Sequence, residues 1–183
     1  MKQGSVIMYV LRLAVTLLLI TGVVAAALAG VNSLTAPRIW VNKETKTQEA
    51  VQAVLPGVGM AVTAYPDETG MITGVWTSDA GYAIRVVPTG FNGGITLMVG
   101  VDREGKLLGI SVISQTETAG LGAVISADSA AGREFRDQFV GLSGSLSVDK
   151  DGGQVDSITG ATITSRAVIK GINAALECAA KLG

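Results

Sequence analysis

The chain has 183 residues, enough for one domain of ordinary size plus a short appendage, and enough to bury a core without disulfides. Apolar residues make up 48% of it and charged residues 16%, a low charge fraction for a soluble globular protein, so part of the chain is expected in membrane lipid. A formal net charge of -1 offers no basic field for nucleic acid, and one cysteine with no histidine excludes a Cys/His zinc site, a Cys-ligated iron–sulfur cluster, a His-ligated haem and a Ser–His or Cys–His nucleophile. Any redox chemistry must come from an organic cofactor, and no catalytic side chain is expected.

Residues 1–12 form a short N-terminal segment that contains Lys2 and Arg12. Residues 13–37 carry no charge, and as a helix they would extend roughly 37 Å against a hydrocarbon core of ~30 Å, so one transmembrane helix is expected over 13–34. A cleaved signal peptide is the competing reading, because a basic leader precedes the run and Ala27-Leu28-Ala29 before Gly30 resembles a signal-peptidase site. The run exceeds the usual ~7–15 residue core of a signal peptide, which favours a retained anchor. Lys2 and Arg12 ahead of the span balance Arg38 and Lys43 after it. The short basic N-terminus favours an inside position for itself and an extracytoplasmic position for the rest.

Residues 35–58 read as a stalk and a helix over 42–55, with Asn42 as N-cap, Val51, Val54 and Leu55 on one face and Pro56-Gly57 as the stop. A domain over 59–183 follows. Its runs 60–65, 71–77, 82–87, 95–101 and 107–114 are β-branched and apolar, and hairpin turns fall at 67–70 and 102–105, which predicts a mostly antiparallel sheet. The 24 glycines fit many tight turns between short strands. A helix is expected over 129–140, with Phe135 and Phe139 packing on the sheet. A clearer one covers 164–181, where Val168, Ile172, Ala175, Leu176 and Ala179 face the core and Arg166, Lys170, Asn173, Glu177 and Lys181 face solvent. Cys178 reads as a small packed hydrophobe. The fold class is α+β, a sheet with flanking helices.

Ahead of the last helix stands Asp156-Ser157-Ile158-Thr159-Gly160-Ala161-Thr162-Ile163-Thr164-Ser165. A glycine turn loaded with hydroxyls at a helix start offers backbone N–H groups and the positive end of the helix dipole to a phosphate. The same hydroxyls of Thr159, Thr162, Thr164 and Ser165 could equally be helix caps.

The pattern Asp-x-x-Thr-Gly-Ala-Thr, carried by Asp156, Thr159, Gly160, Ala161 and Thr162, resembles that of the FMN-binding domain shared by the G subunit of the Rnf electron-transport complex and the C subunit of the sodium-translocating NADH:quinone reductase. The resemblance implies FMN joined by a phosphoester to Thr162, placed there by a flavin transferase that takes it from FAD. Asp156, Ser157, Thr159, Gly160, Ala161, Thr164 and Ser165 would surround the attachment. The segment Thr116-Glu117-Thr118-Ala119-Gly120-Leu121-Gly122-Ala123 resembles the family's Glu-Thr-Pro-Gly-Leu-Gly loop beside the isoalloxazine ring, which implies contacts from Glu117, Thr118, Gly120, Leu121 and Gly122. As a dinucleotide fingerprint this loop fails, since Ile125 stands where a third glycine is needed. Two positions depart from the family: Ala119 replaces a common proline, and Gln115 a common histidine.

The turn Gly90-Phe91-Asn92-Gly93-Gly94-Ile95 and the strands around it share the likeness, which covers roughly residues 10–180. Length favours the Rnf protein over its longer quinone-reductase counterpart. The resemblance therefore implies an electron-relay subunit of a membrane-bound, ion-translocating ferredoxin:NAD oxidoreductase. It would sit single-pass in the cell (inner) membrane with its flavin on the extracytoplasmic side. Its partners would be the other membrane and peripheral subunits of the Rnf complex, the flavin transferase during maturation, and membrane lipid. The quinone-reductase counterpart and a non-redox extracytoplasmic binding module are the alternatives.

Overall fold

The computed structural model describes residues 3–57, 65 and 70–183, with side chains from Ile7 onward. The chain divides into two compact units, Met1–Thr45 and Lys46–Gly183. The first is helical from Gln3 and belongs to α1, Gln3–Val54. Within α1 lies a stretch long and apolar enough to cross a membrane, and Leu17, Leu18, Val23 and Leu28 on it are exposed. Its few hydroxyls turn inward: Thr16 donates to the Arg12 carbonyl at 2.7 Å, Thr21 to Leu17 at 2.9 Å and Thr35 to Val31 at 2.9 Å. Polar groups paired within their own helix suit a solvent that cannot hydrogen-bond.

The helix expected from Asn42 is present but not separate, because the backbone is helical without a break over Gln3–Val54. The helix runs through Pro37. A lone proline removes one i→i−4 bond but does not supply the glycine or polar cap that would end one helix and begin another.

In the second unit, β1 (Ile72–Ser78), β2 (Gly81–Val86), β3 (Thr96–Asp102) and β4 (Leu107–Ser114) form an antiparallel meander in sequence order. The four expected runs from residue 71 onward are all strands, whereas 60–65 lies, Tyr65 apart, outside the described residues, as does most of the turn at 67–70. The turn at 102–105 is present, closed by the Asp102 carboxylate accepting the amides of Glu104 at 3.0 Å and Lys106 at 2.7 Å.

Alternation along the strands gives the sheet two apolar faces. Val75, Tyr82, Ile84, Val86, Leu97, Val99 and Val101 enter the main core with α3 (Thr162–Leu182), while Trp76, Ala83 and Met98 point the other way. That second face is covered by Ala50, Val51, Val54 and Leu55 at the end of α1, the residues whose spacing marked an apolar stripe. The α3 stripe is buried at Val168, Ile172, Ala175, Cys178 and Ala179, with Leu176 half-buried.

The middle helix, α2, is shorter than expected and spans Ala130–Asp137. The Ser129 hydroxyl caps it by accepting the Gly132 amide at 3.2 Å. Phe139 falls in the turn beyond it, yet is fully buried and packs edge-on against Phe135 with ring centroids 5.3 Å apart. The helix ends early because residues 138–140 tighten into a turn that closes on Gly141 at φ +80°.

The contact between the end of α1 and the sheet is close at Gly100, where an added Cβ would lie 2.6 Å from the Val54 carbonyl oxygen. Gly100→Ala should therefore lower stability by about 1–3 kcal/mol through forced separation of helix and strand. Chemical denaturation of the detergent-solubilised protein followed by circular dichroism measures this.

Candidate functional site

Three segments converge on one open cleft of about 370 Å³, within the usual size of small-molecule sites. The first is the turn between β2 and β3, folded back on itself by Gly90 N–H to Gly93 O at 2.7 Å and Ile95 N–H to Pro88 O at 2.9 Å. It carries Phe91. The second is the loop after β4, with Glu117, Thr118, Leu121 and Gly122, which closes into a 3-10 turn over Gly122–Ser126. The third is the start of α3, with Gly160, Ala161, Thr162, Ile163 and Thr164. Phe91, Leu121 and Ile163 are 66%, 44% and 53% exposed, so the cleft presents an apolar surface on which a planar ring could lie.

Glu117 holds the three segments together. It is only 8% exposed, and its carboxylate accepts the amide of Asn92 at 2.9 Å on Oε1, the amide of Phe91 at 3.3 Å on Oε2, and the Thr164 hydroxyl on Oε2. Burial alone would raise its pKa; the Thr164 hydroxyl and the two amides outweigh burial and hold it below the ordinary glutamate range. Two glycines make room for the carboxylate. A Cβ on Gly90 would lie 2.6 Å from Glu117 Oε1, and one on Gly122 would lie 2.5 Å from Thr164 Oγ1 and 2.8 Å from Glu117 Oε2.

Side chains around the loop complete this clamp. Gln115 accepts the Glu117 amide at 2.6 Å and donates to Ser126 Oγ at 3.1 Å, so the residue standing where the family often has histidine braces the loop. Asn92 Nδ2 donates to the Thr116 carbonyl at 2.9 Å. The amides of Leu121 and Ala123 both donate to the Thr118 carbonyl, at 3.2 and 3.1 Å. They are spent inside the loop.

The hydroxyls at the start of α3 do not cap it. The N-cap is Ala161, without a side-chain cap. Thr164 turns to Glu117, and Ser165, fully buried, donates to the Ala161 carbonyl at 3.1 Å while accepting the Ile158 amide at 3.1 Å. Thr162, the first helical residue, is half-buried on the cleft wall. The capping alternative therefore fails, because each hydroxyl that turns inward is tied to a group other than the helix's leading amides.

All but two of the sequence-predicted residues fall into two groups. Glu117, Thr118, Leu121, Gly122, Gly160, Ala161, Thr162 and Thr164 share the cleft. Asp156, Ser157 and Thr159 lie on a neighbouring groove against α2, with Glu134, Asp137 and Gln138. Gly120, at φ +76°, is exposed with open space where a Cβ would be, and Ser165 is internal. Side chains from outside the motif grip its backbone: Gln138 accepts the Asp156 amide at 2.7 Å and donates to its carbonyl at 3.3 Å, and Asp149 accepts the Ser157 amide at 2.9 Å. The Ser157 hydroxyl and amide hold the Asp149 carboxyl well below the usual range. The Asp156 carboxylate itself is exposed and makes no hydrogen bond or ion pair among the described residues. Sequence reasoning missed Phe91 and Ile163 as cleft residues. A phenylalanine in a glycine-rich turn was the available signal for the first, since such a ring has no strand or helix face to bury it.

Residues 90–177 match the profile of the FMN-binding domain. The G subunit of an ion-translocating oxidoreductase complex from Stutzerimonas stutzeri is 35% identical over 186 residues, covering 92% of this chain and 80% of that protein. The G subunit of the Na(+)-translocating ferredoxin:NAD(+) oxidoreductase complex of Acetobacterium woodii is 32% identical over 191 residues, covering 92% and 90%. The corresponding protein of an ion-translocating oxidoreductase complex from Vibrio vulnificus is 42% identical over 98 residues, a match that takes in 50% of this chain and 45% of that one. The chain belongs to the FMN-binding family formed by the G subunits of ion-translocating oxidoreductase complexes.

The buried Glu117 gives stability an acid limb. Its depressed pKa contributes stability that is present above the unfolded-state value of about 4.3 and is lost as pH falls through the lower folded value. Glu117→Gln should cost about 1–3 kcal/mol at neutral pH and flatten that limb. Denaturant titrations between neutral pH and about pH 3 measure both effects.

Proposed function

We propose that this chain is the electron-relay subunit of a membrane-bound, ion-translocating ferredoxin:NAD oxidoreductase, carrying one FMN joined by a phosphoester to Thr162. The observation that carries the reading is that the last threonine of the Asp-x-x-Thr-Gly-Ala-Thr pattern stands on the wall of an apolar cleft, at a helix start no side chain caps. The residues present fit the group. The leading amides of α3 and the helix dipole suit a phosphate held at Thr162. Phe91, Leu121 and Ile163 offer the apolar surface a flavin ring requires.

Attachment forms the bond from Thr162 Oγ to phosphorus as the pyrophosphate bond of FAD breaks, with AMP leaving and the hydroxyl proton passing to a base of the transferase. Thr162 is half-buried and reachable, whereas the buried Thr164 is held by Glu117 and Ser165 by Ile158 and Ala161. Asp156, with its backbone gripped by Gln138 and its carboxylate outward, is free to meet the transferase. Once bound, the flavin supplies reversible electron transfer, and the chain's own part is to hold it, tune it and turn no soluble substrate over. The names of the relatives favour the ferredoxin:NAD complex over the quinone reductase, and the apolar part of α1 fits a single-pass anchor in the inner membrane, facing lipid.

Co-expression with a flavin transferase should give a yellow protein whose FMN maps by peptide mass to Thr162, with the label lost in Thr162→Ala. Asp156→Ala should lose the label while keeping its circular dichroism. Flavin on Thr159, Thr164 or Ser165 would refute the assignment.

In this reading the short basic N-terminus stays inside and the flavin domain lies outside the cytoplasm. In a Cys178→Ser background, Lys181→Cys should react with a membrane-impermeant maleimide in intact cells. Reaction only after the membrane is breached would reverse the orientation, and a mature N-terminus at Gly30 would replace the anchor with a cleaved signal.

A further inference from the structure

Glu117 is the only charged side chain among the described residues that line the cleft. Its environment is unusual for a group that faces a ligand. Its hydrogen-bond donors are the amides of Phe91 and Asn92 and the hydroxyl of Thr164, and no lysine or arginine is among the described residues of the wall. The remaining wall is apolar or small and carries no counter-charge, so a ring lying on it would displace solvent and leave the field of the carboxylate weakly screened. Its tethers also fix its position relative to Thr162, because Thr164 is two residues further along the first turn of α3 and Phe91 forms the facing wall.

We propose that Glu117 is a positioning residue whose charge on the cleft wall lowers the reduction potential of a flavin bound at Thr162. This deepens the reading given above and depends on it. Reduction takes the oxidised ring to the reduced one by two electrons, supplied by another protein of the complex or by dithionite in a cuvette, with protons drawn from water. Electron density added to the ring is repelled by a fixed negative charge nearby, so the electron-rich form is disfavoured and the potential falls. The partial positive charge of the α3 N-terminus acts oppositely near the phosphate, and Glu117 offsets it where the helix start meets the cleft. The pairing with Thr164 keeps the carboxylate from turning into the cleft as a ligand, so it acts by its field and by holding the two walls in register.

The test uses the full-length protein, loaded by co-expression with the transferase, in a dithionite titration with redox dyes. Covalent flavin is measured separately by fluorescence in a denaturing gel. Glu117→Gln, which is isosteric and neutral, should shift the potential to more positive values with flavin still attached at Thr162. Glu117→Asp keeps the charge and should stay nearer the wild type. If Glu117→Gln does not fold, Thr164→Val leaves the carboxylate in place without its hydroxyl donor, and the potential should be at or below that of the wild type. A merely structural Glu117 would change stability and leave the potential alone. Equal potentials for flavin-loaded wild type and Glu117→Gln, or a rise in Thr164→Val, would overturn this role while leaving the flavin assignment intact. Absence of covalent flavin from the wild type would overturn both.

Discussion

A buried carboxylate is expensive unless every partner is in place, and the functional half of this molecule is arranged to keep one ionised. Glu117 receives two backbone amides from one turn and a hydroxyl from the first turn of α3, so the cleft cannot assemble piecemeal. The glycines at 90 and 122 follow from that requirement, because a methyl group at either would occupy the space of the carboxylate or of its hydroxyl donor. The cleft walls, the direction in which α3 starts and the placement of Thr162 on that start all depend on this junction.

The sheet and α3 form the frame that makes the junction possible. The antiparallel meander brings the 87–95 turn and the loop after β4 to the same end of the sheet, since both adjoin β3 or β4 at that edge. The α3 stripe from Val168 to Ala179 fixes the helix on the sheet, and the ion pair of Arg166 with Asp151, at 2.6 and 2.8 Å, ties its first turns to the preceding segment. The end of α1 covers the opposite face, so both faces of the central strands are dry. A frame buried on both sides leaves the loops as the places where polar chemistry can occur.

Much of this was legible in the sequence. Strands β1 to β4 were readable because short β-branched and apolar runs bounded by turns have few other solutions, and α3 because its apolar residues from Val168 to Ala179 recur at helical spacing over about three turns. The motif before α3 stood out on chemistry alone as a hydroxyl-rich helix start, and the family to which the chain belongs was suggested by resemblance. What could not be read is long-range. Nothing local says that the glutamate of a Glu-Thr-Ala-Gly-Leu-Gly loop will be buried against a hydroxyl 47 residues later, or that Gln138 will hold the backbone of Asp156. The lost boundary at Asn42 has a local cause instead: asparagine is as good a cap as it is a tolerated exposed helical residue, and only the surrounding helix decides between the two.

The cleft is open, and its apolar side chains Phe91, Leu121 and Ile163 are exposed to solvent. A freely diffusing ligand would gain little affinity from such walls. With the phosphate tethered as proposed, docking of the ring becomes an intramolecular event at an effective concentration of the order of millimolar, so weak walls suffice. Under that proposal the site would have no need to enclose its ligand, and a ring held there would stay within reach of a neighbouring protein's cofactor. A tether of the proposed kind would separate retention from enclosure, and would allow a flavin to be permanent and exposed in the same site.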